Sequence, residues 1–316
     1  MRILVTGGCG FIGSHLSEAL VQAGHQVRVL DNLSSGQQRN LAAVADRVEV
    51  RVGDVRDAEV VSEACRGMEA VFHQAALVSV VDSVARPRDN HDINITGTLN
   101  VLEAARQHGV RRVIMASSAA IYGNDPALPK QEPMRPAPAS PYAIAKLTGE
   151  HYLQVYSQLY GMQNVALRYF NVYGPRQSAA SPYSGVISKF VQRLQQGVAP
   201  TVCGDGLQSR DFVFVKDVVQ ANVAALICSC AGVEPVFNIA SGRVTTLLGL
   251  LQVLGELAGR PLVPEFAPAR AGDIRHSSAD ISLAMEHLGY RPAYPLPDGL
   301  RLLLEYDADR REGGAS

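Results

Sequence analysis

The chain has 316 residues, nearly half of them hydrophobic, which is enough for one large α/β domain, a smaller lobe and a sizeable core. Its 29 Lys and Arg stand against 30 Asp and Glu, interspersed along the chain. No basic run points to nucleic acid or a membrane surface, and no apolar run is long enough for a membrane span.

The five cysteines, Cys9, Cys65, Cys203, Cys228 and Cys230, are odd in number and lack zinc or thioredoxin spacing. They read as reduced, mostly buried thiols with no metal site. The N-terminus, MRILVTGG, enters a strand at once instead of forming a signal peptide, so the expected compartment is the cytoplasm.

Short apolar runs alternate with helix-like segments through the first half. Ile3–Thr6 reads as a buried strand and Ser14–Ala23 as the helix after it. Gln26–Leu30, Arg47–Val52, Ala70–Ala75 and Arg112–Ser117 read as further strands. Apolar strands separated by helices predict a parallel sheet covered on both faces, a doubly wound α/β fold. The pattern breaks after residue 173. Gly174–Gly185, rich in Gly, Pro and Ser, reads as a loop. Val186–Gln196 reads as a helix, Thr201–Cys203 as a short strand, and Phe212–Val215 as a strand leading into a helix, Asp217–Cys228. Pro235–Ala240 reads as a strand and Thr245–Ala258 as a helix, followed by Pro-rich connections. Residues 1–173 plus about 212–244 are expected to form a dinucleotide-binding domain. Residues from about 174–211 plus 245–316 would form a discontinuous substrate lobe, with some segments returning to the main sheet.

Between the first strand and its helix, TGGCGFIG places Gly7, Gly10 and Gly13 in a GxxGxxG spacing. Glycine is required where backbone must turn tightly and approach a pyrophosphate seated on a helix N-terminus. Asp31 ends the second strand, where a carboxylate accepts hydrogen bonds from an adenosine ribose and repels a 2′-phosphate, favouring NAD over NADP. Asp54 and Val55 end another strand, where they suit an adenine edge or, equally, a surface turn. Further on, Ser140-Pro141 is a helix-start signal. Tyr142 and Lys146 follow at i, i+4 on one helix face, an acid–base device in which an ammonium stabilises a phenolate.

These motifs stand in an ordered series: TGGCGFIGSH, DNLSSG, GDVRD, HQAA, NITGTLNVLEAA, SSAAIYG, SPYAIAK, LRYFNVYGPRQ, SRDFVFVKDV and AGDIRHSSAD. The chain resembles an extended short-chain dehydrogenase/reductase with a Rossmann domain, of the UDP-galactose/UDP-N-acetylglucosamine 4-epimerase type, nearly end to end. The resemblance implies that Tyr142 removes the proton of the sugar 4-hydroxyl while C4 passes a hydride to NAD. Lys146 would tune the tyrosine and bind the nicotinamide ribose, and Ser118 would hydrogen-bond the reacting oxygen. Phe11, Ile12, Asp31, Asn32, Asp54, Val55, Ala75 and Asn94 would line NAD. Asn171 would contact sugar or phosphate, Arg210 and Arg270 would clamp the diphosphate, and Asp273 would meet the ribose. Guanidinium forks suit phosphate oxygens on chemical grounds as well. A homodimer through two helices per subunit, roughly 94–107 and 142–160, is implied too.

Relatives that dehydrate at C4 and C6, or decarboxylate, carry an acidic residue just after the equivalent serine. Here Ala119 and Ala120 stand there and can move no proton. A UDP-uronate 4-epimerase is a further reading, and an NAD-binding sensor without catalysis is opposed by Ser118, Tyr142 and Lys146 together. In the matching motif, the residue four places after the aspartate of AGD lies beside the sugar. It is bulky where only glucose and galactose are accepted, and smaller where N-acetyl sugars enter. Ser277 holds that place here.

Overall fold

The computed structural model describes residues 1–178, 185–229, 235–269 and 275–312, with side chains through Asp309. Its first half contains β1 (Arg2–Thr6), α1 (Phe11–Gln22), β2 (Gln26–Asp31), β3 (Val48–Val52), α2 (Ala58–Cys65), β4 (Ala70–His73), α3 (Val80–Ala85), α4 (Pro87–His91), α5 (Gly97–Gln107) and β5 (Arg112–Ser118). Next come α6 (Pro141–Tyr160), β6 (Val165–Tyr169), β7 (Asn171–Tyr173), α7 (Val186–Gln195), β8 (Thr201–Cys203), β9 (Ser209–Phe214) and α8 (Val215–Ile227). The last described elements are β10 (Val236–Ile239), β11 (Val244–Thr246), α9 (Leu247–Leu257), β12 (Glu265–Ala267), α10 (Ser282–His287) and α11 (Leu296–Glu312).

Seven described strands pair in parallel in the order β10-β6-β5-β4-β1-β2-β3, a doubly wound sheet. Successive side chains face opposite sides, and both sides are apolar. Ile3 and Val5 pack with Leu16 and Leu20 of α1 and Val218 and Ala221 of α8. Leu4 packs with Val61 of α2, Val101 of α5 and Leu153 of α6. This two-sided burial explains why the strands read as continuous apolar runs. Strand order reverses between β1 and β4, so a crevice opens beyond their C-terminal ends.

A separate apolar cluster joins Phe190 of α7, Val202 of β8, Phe212 of β9, Leu250 of α9 and Leu300 of α11. There β9 pairs with β7 and β11, and β12 pairs with β8. Ala284, Leu288 and Tyr290 return to the core beneath the main sheet.

Local differences from the expected elements have physical causes. Helix α1 begins at Phe11, not Ser14, because extended Gly10 is already its N-cap. Strand β4 stops at His73, because the chain at Ala75 must pass over Gly7. Phe214 caps α8, so Val215 starts the helix. Strands β6, β7, β11 and β12 and helices α10 and α11 are additional to the expected set.

Candidate active site

The glycine loop leaves β1 into the crevice. Gly7 has φ +70°, and a Cβ there would stand 2.7 Å from the Ala75 nitrogen. A Cβ on Gly13 would stand 2.1 Å from the Gly7 carbonyl oxygen. Gly10 would meet only that carbonyl, at 3.1 Å, so it is the glycine whose missing side chain leaves room in front of α1. The first turn of α1 carries no side-chain cap, and Phe11 and Ile12 open it half-buried. Uncapped N–H groups at a helix N-terminus suit an anion.

Beside this cradle, buried Asp31 accepts from the Cys9 N–H and the Leu33 N–H, each at 2.9 Å. A Cβ on Gly36 would lie within 2.9 Å of both its carboxylate oxygens, so glycine keeps that carboxylate approachable. Asn32 donates to Asp54 at 2.8 Å, and Arg56 forks onto the same carboxylate, holding it well below the ordinary range. Val55 is buried against Gly97. Asn94 sits in a π-helical turn, Asp92–Thr96, and uses its amide to grip the Leu77 backbone, accepting from N–H at 2.8 Å and donating to C=O at 3.0 Å. It thereby fixes the loop that runs on from Ala75.

At the C-terminal end of β5 stands the second group. Ser140 caps α6 by accepting from the Ala143 N–H, and Pro141 takes the first helical position; such a cap stabilises a helix by ~1 kcal/mol. Ser83 of α3 accepts from the Tyr142 N–H, another hold on the start of this helix. Tyr142 and Lys146 are both buried. Lys146 Nζ donates to the Ala116 carbonyl at 2.8 Å and lies 5.8 Å from the centre of the Tyr142 ring. The Ser118 hydroxyl, at the strand end beside Tyr142, draws the phenol's pKa down against a larger upward push from burial. Burial, partly offset by the Glu150 carboxylate, lowers Lys146 to about 8. In the protein alone, burial therefore favours the phenol form of Tyr142.

Residues 3–240 match the NAD dependent epimerase/dehydratase family. The chain belongs to this family. It is 41% identical over 310 residues to a UDP-glucose 4-epimerase of Mycolicibacterium smegmatis, covering 97% of this chain and 98% of that one. Among solved structures, a UDP-glucose 4-epimerase of Thermotoga maritima with UDP-glucose is 40% identical, with a TM-score of 0.93 over 98% of this chain and 100% of that one. A UDP-N-acetylglucosamine 4-epimerase of Methanobrevibacter ruminantium, in complex with UDP-N-acetylmuramic acid, is 36% identical, with a TM-score of 0.92 over 98% of each chain. This family member is an NAD-dependent enzyme of the epimerase type, and the open cradle at Gly10 with the Asp31 carboxylate beside it fits that cofactor.

Of the residues expected to meet the substrate, Asn171 starts β7 and donates to the Asp211 carbonyl at 3.1 Å. Arg210, on β9, turns one guanidinium nitrogen to the Ser209 and Arg275 carbonyls at 2.9 and 3.4 Å. Ser277 is half-buried, and its N–H donates to the Ser209 carbonyl at 3.0 Å. Arg270, Asp273 and Cys230 lie outside the described residues. Sequence reasoning missed Ser117, Glu150 and Arg168, which form a buried polar group under α6. The helical spacing of Glu150 from Tyr142 and Lys146 was the available signal.

Proposed function

We propose that this enzyme inverts C4 of a UDP-hexose through a transient 4-keto sugar, acting on the UDP-GlcNAc/UDP-GalNAc pair and also accepting UDP-glucose and UDP-galactose. The observation that carries the choice of sugar is Ser277. Its segment bridges to Ser209 on one side and, through Ala279, to Lys130 on the other. Both neighbours tie it by main-chain hydrogen bonds, so Ser277 belongs to a braced wall and not to a free loop. An acetamido group adds several heavy atoms, and a braced wall accommodates them only if its side chain is small. The Methanobrevibacter relative, named for an N-acetylated sugar, supports the same reading.

The chemistry assigned to the chain's own residues is short. The Tyr142 phenolic oxygen takes the proton of the sugar O4 and later returns it, Ser118 orients that oxygen, and Lys146 supports negative charge on the phenol. Bound NAD supplies the hydride acceptor and donor and the positive ring charge that favours phenolate. Ala119 and Ala120 offer no second acid, which supports epimerisation over dehydration. Asn171 is assigned to the sugar or phosphate, Arg210 and Arg270 to the diphosphate and Asp273 to the ribose, with the substrate held by the lobe of about 174–211 and 245–316. Ile144, Val155 and Leu159 form an exposed apolar stripe on α6, which supports a homodimer. No helix among the described residues is long and apolar enough to cross a membrane; the cytoplasm is the compartment proposed.

A panel of UDP-hexoses, with C4 epimers resolved, tests the reading. In parallel, Ser277→Tyr is expected to lose activity on UDP-GlcNAc while largely sparing UDP-glucose. Equal loss on both, or none on either, removes Ser277 from sugar selection.

A further inference from the structure

We infer that Glu150 is a positioning residue of the acid–base site, holding the helix of Tyr142 and Lys146 against the strand end of Ser118. The inference rests on the assignment of those three residues as the acid–base group. Tyr142, Lys146 and Glu150 stand at i, i+4 and i+8, on one face of α6. Three successive residues at the end of β5 each face one of them. The Ala116 carbonyl accepts from Lys146 at 2.8 Å, the Ser117 hydroxyl donates to Glu150 at 2.5 Å, and the Ser118 hydroxyl stands near enough to Tyr142 to draw its pKa down. Two of these contacts belong to the acid–base site itself. The third, between Ser117 and Glu150, touches no reacting group, yet it spans the same helix–strand gap.

Glu150 is itself fixed from a second strand. Arg168 lies beside Ser117 in the register of β5 and β6 and forks onto the carboxylate, Nε to Oε1 at 2.9 Å and Nη2 to Oε2 at 2.8 Å. Both side chains are 5% exposed. The remaining nitrogen of Arg168 donates to the Tyr122 hydroxyl at 2.9 Å, and that hydroxyl donates to Asn238 at 2.7 Å. Tyr122 ends the short helical turn that starts directly after Ser118. The carboxylate is thus held by β5, by β6 and, through Tyr122, by the turn beyond the catalytic serine. With these bonds made, α6 can neither slide nor roll relative to Ser118.

Geometry of this kind matters because a general base must lie within hydrogen-bond reach of the proton it takes. Glu150 also places a negative charge one turn from the Lys146 ammonium. The other titratable groups facing Lys146 are Tyr142 on the same helix and His73 on β4, which burial keeps neutral. Glu150 is therefore the countercharge that favours protonated Lys146.

Ser117→Ala removes the pin without burying a charge, and Glu150→Gln removes the charge while keeping the shape. Both are assayed as NAD-loaded enzyme with UDP-glucose and UDP-N-acetylglucosamine, with folding checked by melting and NAD content. In each, kcat is expected to fall by about tenfold or more with KM nearly unchanged, since a small misplacement of reacting groups carries penalties of that order. In Glu150→Gln the alkaline limb of the kcat profile should also move to lower pH, because Lys146 loses its proton more readily. A merely structural ion pair would lower the melting temperature and leave that limb in place. Ser117→Ala at wild-type kcat, or an unmoved limb in folded Glu150→Gln, overturns the inference; if Glu150→Gln does not fold, the kcat of Ser117→Ala decides alone. Tyr142→Phe runs alongside. If it turns over normally, the acid–base assignment falls and this inference with it; if it is dead while the other two are normal, only this inference falls.

Discussion

Asp31 presents one carboxylate to two backbone N–H groups, those of Cys9 in the glycine loop and Leu33 in the following turn. Its charge is therefore fixed at the mouth of the cradle, close to where an adenosine ribose would lie. A ribose hydroxyl can donate to it, whereas a 2′-phosphate would meet a like charge at short range. Protein denatured after purification is expected to release NAD and little NADP; an extract dominated by NADP would contradict this role for Asp31. Single residues like this one were legible because their chemistry is tied to a place in a βαβ unit. Asp31 ends a strand, Gly7, Gly10 and Gly13 enter a helix, and Tyr142 and Lys146 share a turn. Glu150 was not singled out, because its meaning depends on Arg168, which lies on another element and meets it only in the folded sheet.

Helix α6 links the chemistry to the outer surface. Its inner face carries Tyr142, Lys146 and Glu150, while Ile144, Val155 and Leu159 are 51%, 43% and 67% exposed. These three recur at helical spacing on one stripe of a twenty-residue helix, which is the basis for the proposed homodimer. A second copy of the chain, packing this helix and α5 against their equivalents, would cover it. Leu159→Arg is expected to shift the protein from dimer to monomer in sedimentation, with little change in its melting behaviour below the dimer concentration range. A monomeric parent protein, or a variant that remains fully dimeric, rules this interface out. Long amphipathic helices such as α6 are readable from spacing, since each contains several turns of pattern. The three-residue strands β7, β11 and β12 contain less than one useful period. Their pairing is set by partners far along the chain, as when β7 leaves the main sheet to join β9.

At the scale of the whole molecule, two histidines tie the fold to pH, His73 fully buried and His15 half-buried. His73 lies between two threonines, with Nδ1 2.8 Å from Thr6 Oγ1 and Nε2 3.0 Å from Thr98 Oγ1. The Thr98 hydroxyl donates its proton to the Asn94 carbonyl, so it must accept from Nε2–H, which leaves Nδ1 to accept from Thr6. A second ring proton would therefore face a hydroxyl already pointing its own hydrogen inward. Burial lowers His73 to about 3, and it lowers His15, packed under Pro175, to about 4. Both folded values lie below the ordinary histidine value, so the unfolded chain binds protons that the folded chain refuses. Stability is then full above about pH 6.5 and falls as the pH drops, until the folded rings themselves take protons near 4 and 3. Each histidine contributes ~1.4 kcal/mol per pH unit within its window. Glu132, Asp211 and Asp217, whose carboxyls burial holds high, act in the opposite sense on acidification, so the informative quantity is a difference between variants. His73→Gln is expected to lose ~2 kcal/mol less stability than the parent between about pH 7 and pH 5, whatever its stability at neutrality. Urea unfolding of both proteins at the two pH values measures that difference directly, and equal losses would mean that His73 takes up its proton in the folded state as readily as in the unfolded chain.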